Sequence, residues 1–293
     1  MTERDRYIPG VPCWIDLPSP DPDAAAEFYA GLFGWELEET MPAGSPGKYL
    51  MARLHGEDVA AIASQQEGAP PMAAWNTYVR VDRADETVAK VREAGGTVLS
   101  EPFDIFDVGR MAVFADPEGA VFSAWQPNRH PGATVVNEAG SLNFNDLHTS
   151  DPEGAKAFYR AVFGWETLEM GGGFAMWALA GYGDLLERRN PGNREQMAEM
   201  GAPERFEDVV ASLSPLTDDT PSHWSLTFAV DDADATAKRA EELGGQVVVP
   251  PHDAPWVRMT VITDPQGATF TASKFVPENQ DVTEGADAAV SGS

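Results

Sequence analysis

Two aspartates, Asp16 and Asp146, stand at matching places in short apolar segments, "PCWIDLP" and "LNFNDLH". An ionised carboxylate is disfavoured in apolar surroundings, so its pKa rises and it can serve as a general base near neutral pH. The plainer alternative is that each accepts hydrogen bonds from backbone at a strand end, as buried polar groups normally do. His148 follows Asp146 by two positions, and His223 comes later in the same half of the chain. Such a pair could supply acid and base, or part of a metal site. The competing reading is two unrelated histidines near strand ends. Cys13 is the sole cysteine. It excludes an intramolecular disulfide and a Cys-rich zinc site, and is expected to be a structural thiol. His55, His130 and His252 are expected in loops and carry no signal of their own.

These groups need a framework to bring them together. The chain has 293 residues, 43% of them hydrophobic, enough for two ordinary cores. Twenty Lys and Arg against 47 Asp and Glu leave a net charge of -27, which repels nucleic-acid phosphates and anionic membrane surfaces. The opening "MTERDRYIPG" is charged and lacks the apolar core of a secretory signal, and no apolar run is long enough for a membrane span. A soluble cytoplasmic protein is the expectation.

The framework is written twice. "PDPDAAAEFYAGLFGWE" (20–36) returns as "SDPEGAKAFYRAVFGWE" (150–166), an offset of 158 − 28 = 130 between Phe28 and Phe158. Val81-Asp82 returns as Val230-Asp231 at 149, so about 19 residues are inserted in the second copy between these points. "ADPEGAVFSAW" returns as "TDPQGATFTAS" at 148. This is a tandem duplication. Expected boundaries are 1–128 for the first domain, 129–140 for a linker and 141–277 for the second. The insertion is expected at about 188–222, and the tail 278–293 is expected to be disordered. Each copy reads as two βαβββ units, giving an α+β fold. The doubled phrase is a capped helix: Asp21 and Asp151 cap, Pro22 and Pro152 open, and Gly34 and Gly164 stop it. Its aromatic stripe is a packing face.

The Phe-Tyr…Phe-Gly-Trp phrase together with Asp-Pro-x-Gly resembles the vicinal oxygen chelate superfamily, which includes glyoxalase I, extradiol dioxygenases and bleomycin resistance proteins. The tandem form resembles an actinobacterial glyoxalase-like group. The resemblance implies curved, cup-shaped sheets with helices outside and a divalent metal held by His, Glu or Gln. In this sequence those ligand positions fall at Trp14, Asn76 and Ser123, with a fourth near Ala61 or Ala63. In the second copy they fall at Phe144, Ser225 and Thr271, with a fourth near Leu185 or Glu187. Only Glu187 is a plausible ligand for a divalent ion, so neither copy is expected to hold the usual metal, and no cofactor is expected.

Strand alternation assigns the cup walls. Trp14, Asp16, Asn76, Tyr78, Ser123 and Trp125 are expected in the first cup. Phe144, Asp146, His148, His223, Ser225, Thr227, Thr271 and Ser273 are expected in the second. The expected function is metal-independent binding of a small organic molecule in one or both cups. The alternative is a glyoxalase-like lyase or isomerase, or a dioxygenase-type enzyme, working through Asp16, Asp146 and His148 or through an atypical metal. The two copies are expected to pair within one chain, so a monomer is as admissible as a homodimer.

Overall fold

The computed structural model describes residues 6–65, 68, 72–171, 174–280 and 282. Sixteen strands form two eight-stranded sheets with six helices among these residues. The first copy runs β1 (Pro12–Ser19), α1 (Pro22–Phe33), β2 (Glu36–Glu39), β3 (Tyr49–Leu54), β4 (Glu57–Ser64), β5 (Asn76–Arg80), α2 (Ala84–Glu93), β6 (Thr97–Ile105), β7 (Gly109–Ala115) and β8 (Val121–Pro127). The second runs β9 (Leu142–Thr149), α3 (Pro152–Phe163), β10 (Glu166–Gly171), β11 (Phe174–Ala178), α4 (Tyr182–Arg189), α5 (Asn193–Glu199), β12 (Val209–Pro215), β13 (His223–Ala229), α6 (Ala233–Glu242), β14 (Gln246–Ala254), β15 (Val257–Thr263) and β16 (Thr269–Phe275).

The sheet orders are β2-β3-β4-β1-β5-β8-β7-β6 and β10-β11-β12-β9-β13-β16-β15-β14, the same pattern in both copies. In each, two βαβββ units meet through an antiparallel central pair, β1 with β5 and β9 with β13. The doubled helices are punctuated as the sequence predicts. Asp21 accepts from the Ala24 N–H at 3.1 Å and Asp151 from the Gly154 N–H at 3.0 Å. Gly34 and Gly164 end them at φ 74° and 77°, where a side chain would be strained.

Each helix phrase serves the other copy as well as its own. Phe28, Tyr29 and Trp35 share a core with Leu226, Phe228, Ile262 and Phe270 of the second copy. Phe158, Tyr159 and Trp165 share one with Phe114 and Phe122 of the first. The Tyr29 hydroxyl donates to Asp264 at 3.0 Å, and the Tyr159 hydroxyl to Asp116 at 3.1 Å. Those aspartates belong to the repeated Asp-Pro-x-Gly turns, where each also accepts two backbone N–H groups. Trp35 and Trp165 donate across the copies to the carbonyls of Gly140 and Gly10, both at 2.7 Å. The central strands are tied by the Thr77 hydroxyl donating to Asn145 at 2.9 Å. The copies therefore pack against each other within one chain.

The extra chain of the second copy is residues 179–208, carrying α4 and α5, where the first copy has only the two-residue turn His55-Gly56. Of the expected span 188–222, residues 209–215 are instead strand β12, an interior strand between β11 and β9. Glu278 and Asn279 of the expected tail belong to a 3-10 turn, Pro277–Asn279; 281 and 283–293 lie outside the described residues. His252 is within β14 rather than a loop.

Candidate functional site

In the first cup, alternation along β1 sends Trp14 and Asp16 to one face, while Ile15 joins Phe28 and Tyr29 on the other. Tyr78 stands opposite Trp14, and Asn76 opposite Asp16. The Tyr78 hydroxyl donates to Asp16 at 2.8 Å and the Asn76 amide at 3.0 Å. Tyr49 is also bonded to Asp16, while its hydroxyl accepts from the Trp14 indole at 3.1 Å. Burial drives the Asp16 pKa up to about 6, against the pull of these three donors. Trp125 meets Tyr78 edge-on, with ring centroids 6.4 Å apart, and Ser123 lies beside them at 2% exposure.

The cup is then stopped by the connection between the copies. Trp125 donates to the His130 carbonyl at 2.8 Å, and the His130 ring packs edge-on against Trp14 with centroids 4.4 Å apart. Its Nδ1 lies 3.9 Å from Asp58, its Nε2 is buried without a partner among the described residues, and burial lowers its pKa. His130 therefore belongs to the cup, not to a featureless loop. Trp14, Asp16, Tyr78, Ser123 and Trp125 are all buried. The first cup is filled by its own chain.

The second cup repeats the backbone and changes the filling. Phe144, Asp146 and His148 alternate along β9 and are all half-buried. Opposite them on β13 stand Thr227, Ser225 and His223. Thr271 on β16 pairs with Thr227, and Ser273 lies two residues on. Among the described residues Asp146 has one side-chain donor, the Thr227 hydroxyl at 3.3 Å. Burial raises it to about 6, with only Thr227 opposing. His148 Nε2 is 3.0 Å from the Ser225 hydroxyl, and its ring stacks on His223 with centroids 5.0 Å apart and planes 10° apart. Burial and the neighbouring His223 lower the His148 pKa to about 4. His223 is exposed at the end of β13 and its Nδ1–H donates to the Pro221 carbonyl at 2.8 Å.

The fourth cup position is corrected by register. Asp16 pairs with Ala61 and Asp146 with Ser212, so Ser212, not Leu185 or Glu187, is the counterpart of Ala61. Leu185 is buried within α4, while Glu187 on the same helix accepts the N–H groups of Gly192 and Arg194. The extra helices displaced the alignment by inserting before β12. Ser212 was missed for that reason; it is 1% exposed and its hydroxyl is unpartnered among the described residues.

The donor sets at the four positions are thus Trp14, Ala61, Asn76 and Ser123, and Phe144, Ser212, Ser225 and Thr271. Divalent transition metals need imidazole, thiolate or carboxylate, and neither set contains one, so the residues do not fit the metal the fold implies. Among the described residues no three His, Cys, Asp or Glu converge. No described helix is long and apolar enough to cross a membrane.

Residues 13–123 and 141–271 each match the family model described as Glyoxalase/Bleomycin resistance protein/Dioxygenase superfamily. "Putative glyoxylase CFP32" of Mycobacterium tuberculosis is 43% identical over 285 residues, covering 95% of this chain and all of that protein. "Anthracycline biosynthesis protein DnrV" of Streptomyces peucetius is 36% identical, covering 91% of this chain and 94% of that one. Among solved structures, the Mn(II)-bound glyoxalase of Novosphingobium aromaticivorans has a TM-score of 0.59 at 16% identity, covering 91% of this chain and 82% of its own. The 2,3-dioxygenase LapB of Pseudomonas sp. KL28 has a TM-score of 0.57 at 14% identity, covering 92% and 93%. These structures share the fold. With both repeats matched and a full-length relative at this identity, the chain belongs to the glyoxalase/bleomycin resistance protein/dioxygenase superfamily as a glyoxalase-like protein of two tandem domains.

Proposed function

We propose that the second cup binds a small organic molecule without a divalent metal, and that Asp146 is the group that anchors it. The observation that carries this is the state of Asp146: a half-buried carboxylate with a single donor at 3.3 Å, beside the unpartnered hydroxyl of Ser212. A carboxylate accepts several hydrogen bonds, and a buried one left short of donors is costly unless a ligand supplies them. Asp16 has its donors from its own chain and needs none. The metal-free part of the reading rests on donor chemistry at the four positions.

A second reading makes the same site catalytic. A carboxylate with a pKa of about 6 is ionised yet basic near neutrality, as a general base requires. The relatives' names, a glyoxylase and an anthracycline biosynthesis protein, supply two chemistries to try.

The test uses the full chain, with metal content measured after purification. A panel of 2-oxoaldehydes, catechols and anthracyclines is then titrated before and after chelation. The reading expects one molecule bound per chain, unaffected by chelator, weakened by Asp146→Asn and unchanged by Ala61→Ser. Stoichiometric, tightly held zinc, nickel, manganese or iron defeats the metal-free part. Binding indifferent to Asp146→Asn defeats the anchor. Turnover that disappears in Asp146→Asn while binding persists selects the catalytic reading.

A further inference from the structure

Between β8 and β9, residues 128–141 run with neither strand nor helix. Part of this connection, 128–134, lies over the first cup and is held at both ends by backbone bonds. The N–H groups of Asn128, Arg129 and His130 converge on the Val108 carbonyl at 3.0, 3.1 and 3.1 Å. The Ala133 N–H donates to the Cys13 carbonyl at 2.8 Å, and that of Thr134 to the Asp58 carbonyl at 2.7 Å. Gly132, at φ 116°, permits the approach, because a Cβ there would lie 2.3 Å from the Cys13 carbonyl oxygen. The second copy is different. After β16 the place of His130 falls to Glu278 (278 − 130 = 148, the offset of the last strands), and Glu278 is exposed.

His130 is the part of the cover that turns inward. Its side chain is 15% exposed, and its ring meets Trp14 edge-on at 4.4 Å and Trp125 at 6.0 Å. A neutral imidazole suits two indoles. A protonated one carries a full charge and an N–H on both nitrogens, yet Nε2 has no partner among the described residues. The charged groups around it are already engaged. Asp58 on β4 is 3.9 Å from Nδ1, but Arg53 on β3 holds that carboxylate at 2.8 Å. Asp16 on β1 is occupied by Tyr78 and Asn76, and also by Tyr49. Arg80 on β5 pairs with Asp82 at 2.7 Å, and Arg129 with Asp107 at 2.6 Å.

We propose that residues 128–134 are a latch on the first cup that acid releases: the neutral His130 ring holds the segment shut over Trp14, and a proton on that ring frees it. Desolvation outweighs the pull of Asp58 and keeps the His130 pKa below the ordinary histidine value. Closure is therefore at full strength above about pH 6.5 and weakens as pH falls below it. The cross-copy bonds of Tyr29, Tyr159, Trp35 and Trp165 involve no histidine, so the copies stay paired while the latch opens. The latch concerns the first cup alone and is independent of what the second cup binds.

The experiment is amide hydrogen exchange of the full chain at pH 7.5 and pH 5.0, corrected for the intrinsic effect of pH on exchange. Protection of 128–134 is expected to fall by at least about threefold at the lower pH, while protection of α1 and α3 changes by less than that. His130→Phe keeps an uncharged ring between the indoles and should hold its protection at both pH values. His130→Gln, also uncharged at both, repeats the test if the phenylalanine variant misfolds, which near-ultraviolet circular dichroism reports. Equal protection of the parent at both pH values overturns the latch. So does an acid response that survives in both His130 variants. Greater protection in acid overturns it as well and assigns His130 to an ion pair with Asp58.

Discussion

The two cups share a sheet order, an aspartate on the first strand and a capped helix behind it, yet they are filled differently. In the first, Asp16 is enclosed by Tyr78, Asn76 and Tyr49, and the connecting segment lays His130 against Trp14. In the second, smaller side chains leave Asp146 with one side-chain donor among the described residues, and half-buried His148 stacks on exposed His223. A duplicated domain needs only one working site. The sealed copy is free to become a packing partner, so the same carboxylate can be structural in one cup and available in the other.

The comparison makes its largest claim about the rings. Trp14→Ala removes a fully enclosed indole and should cost roughly 3–5 kcal/mol, whereas the half-buried Phe144→Ala should cost about 1 kcal/mol. Urea denaturation of both variants measures this, and equal losses would mean the second cup is as tightly filled as the first. The carboxylates come next. Asp16→Ala strands the Tyr78 hydroxyl and the Asn76 amide, a loss of roughly 2–3 kcal/mol. Asp146→Ala strands only Thr227 and should lie within about 1 kcal/mol of the parent while losing ligand binding.

An effect of similar size appears with pH. The folded-state pKa of Asp146 is about 6, above the ordinary aspartate value, so its ionisation destabilises the folded chain as pH rises through that window. Asp146→Asn should match the parent in stability near pH 3.5 and exceed it by roughly 3 kcal/mol at pH 7.5. A constant difference across that range contradicts a raised pKa. The smallest effect is spectroscopic. His148 should remain neutral through pH 6, its ring resonances moving only as pH approaches about 4. Titration at the ordinary histidine value would place it in water rather than in the cup.

Much of this framework is local and can be read from the chain. Asp21, Pro22 and Gly34 punctuate a helix by capping chemistry alone, and alternation along β1 separates Trp14 and Asp16 from Ile15. Register across strands is not local. Ser212 was hidden because 179–208 intervene before its strand, so counting from the doubled phrase arrives in α4 at Leu185 and Glu187. His130 was hidden because a connecting segment has no periodicity to betray which cup it enters. The state of the two aspartates also depended on neighbours from other strands. Asp16 and Asp146 look alike in sequence, and Tyr78 against Thr227 and Asn76 against Ser225 separate them.

The reciprocal bonds between Tyr29 and Asp264 and between Tyr159 and Asp116 have a consequence for how the chain is made. Tyr29 leaves the ribosome 235 residues ahead of the aspartate that receives its hydroxyl. At ordinary synthesis rates that is a wait of roughly 10–50 s. Phe28, Tyr29 and Trp35 must spend it without Phe228 and Phe270, so the nascent first copy presents an unfinished apolar surface. Any second chain emerging nearby carries the same missing half. Polysomes are therefore where this architecture is most exposed to exchanging copies between molecules, and slow translation of the second copy lengthens the exposure.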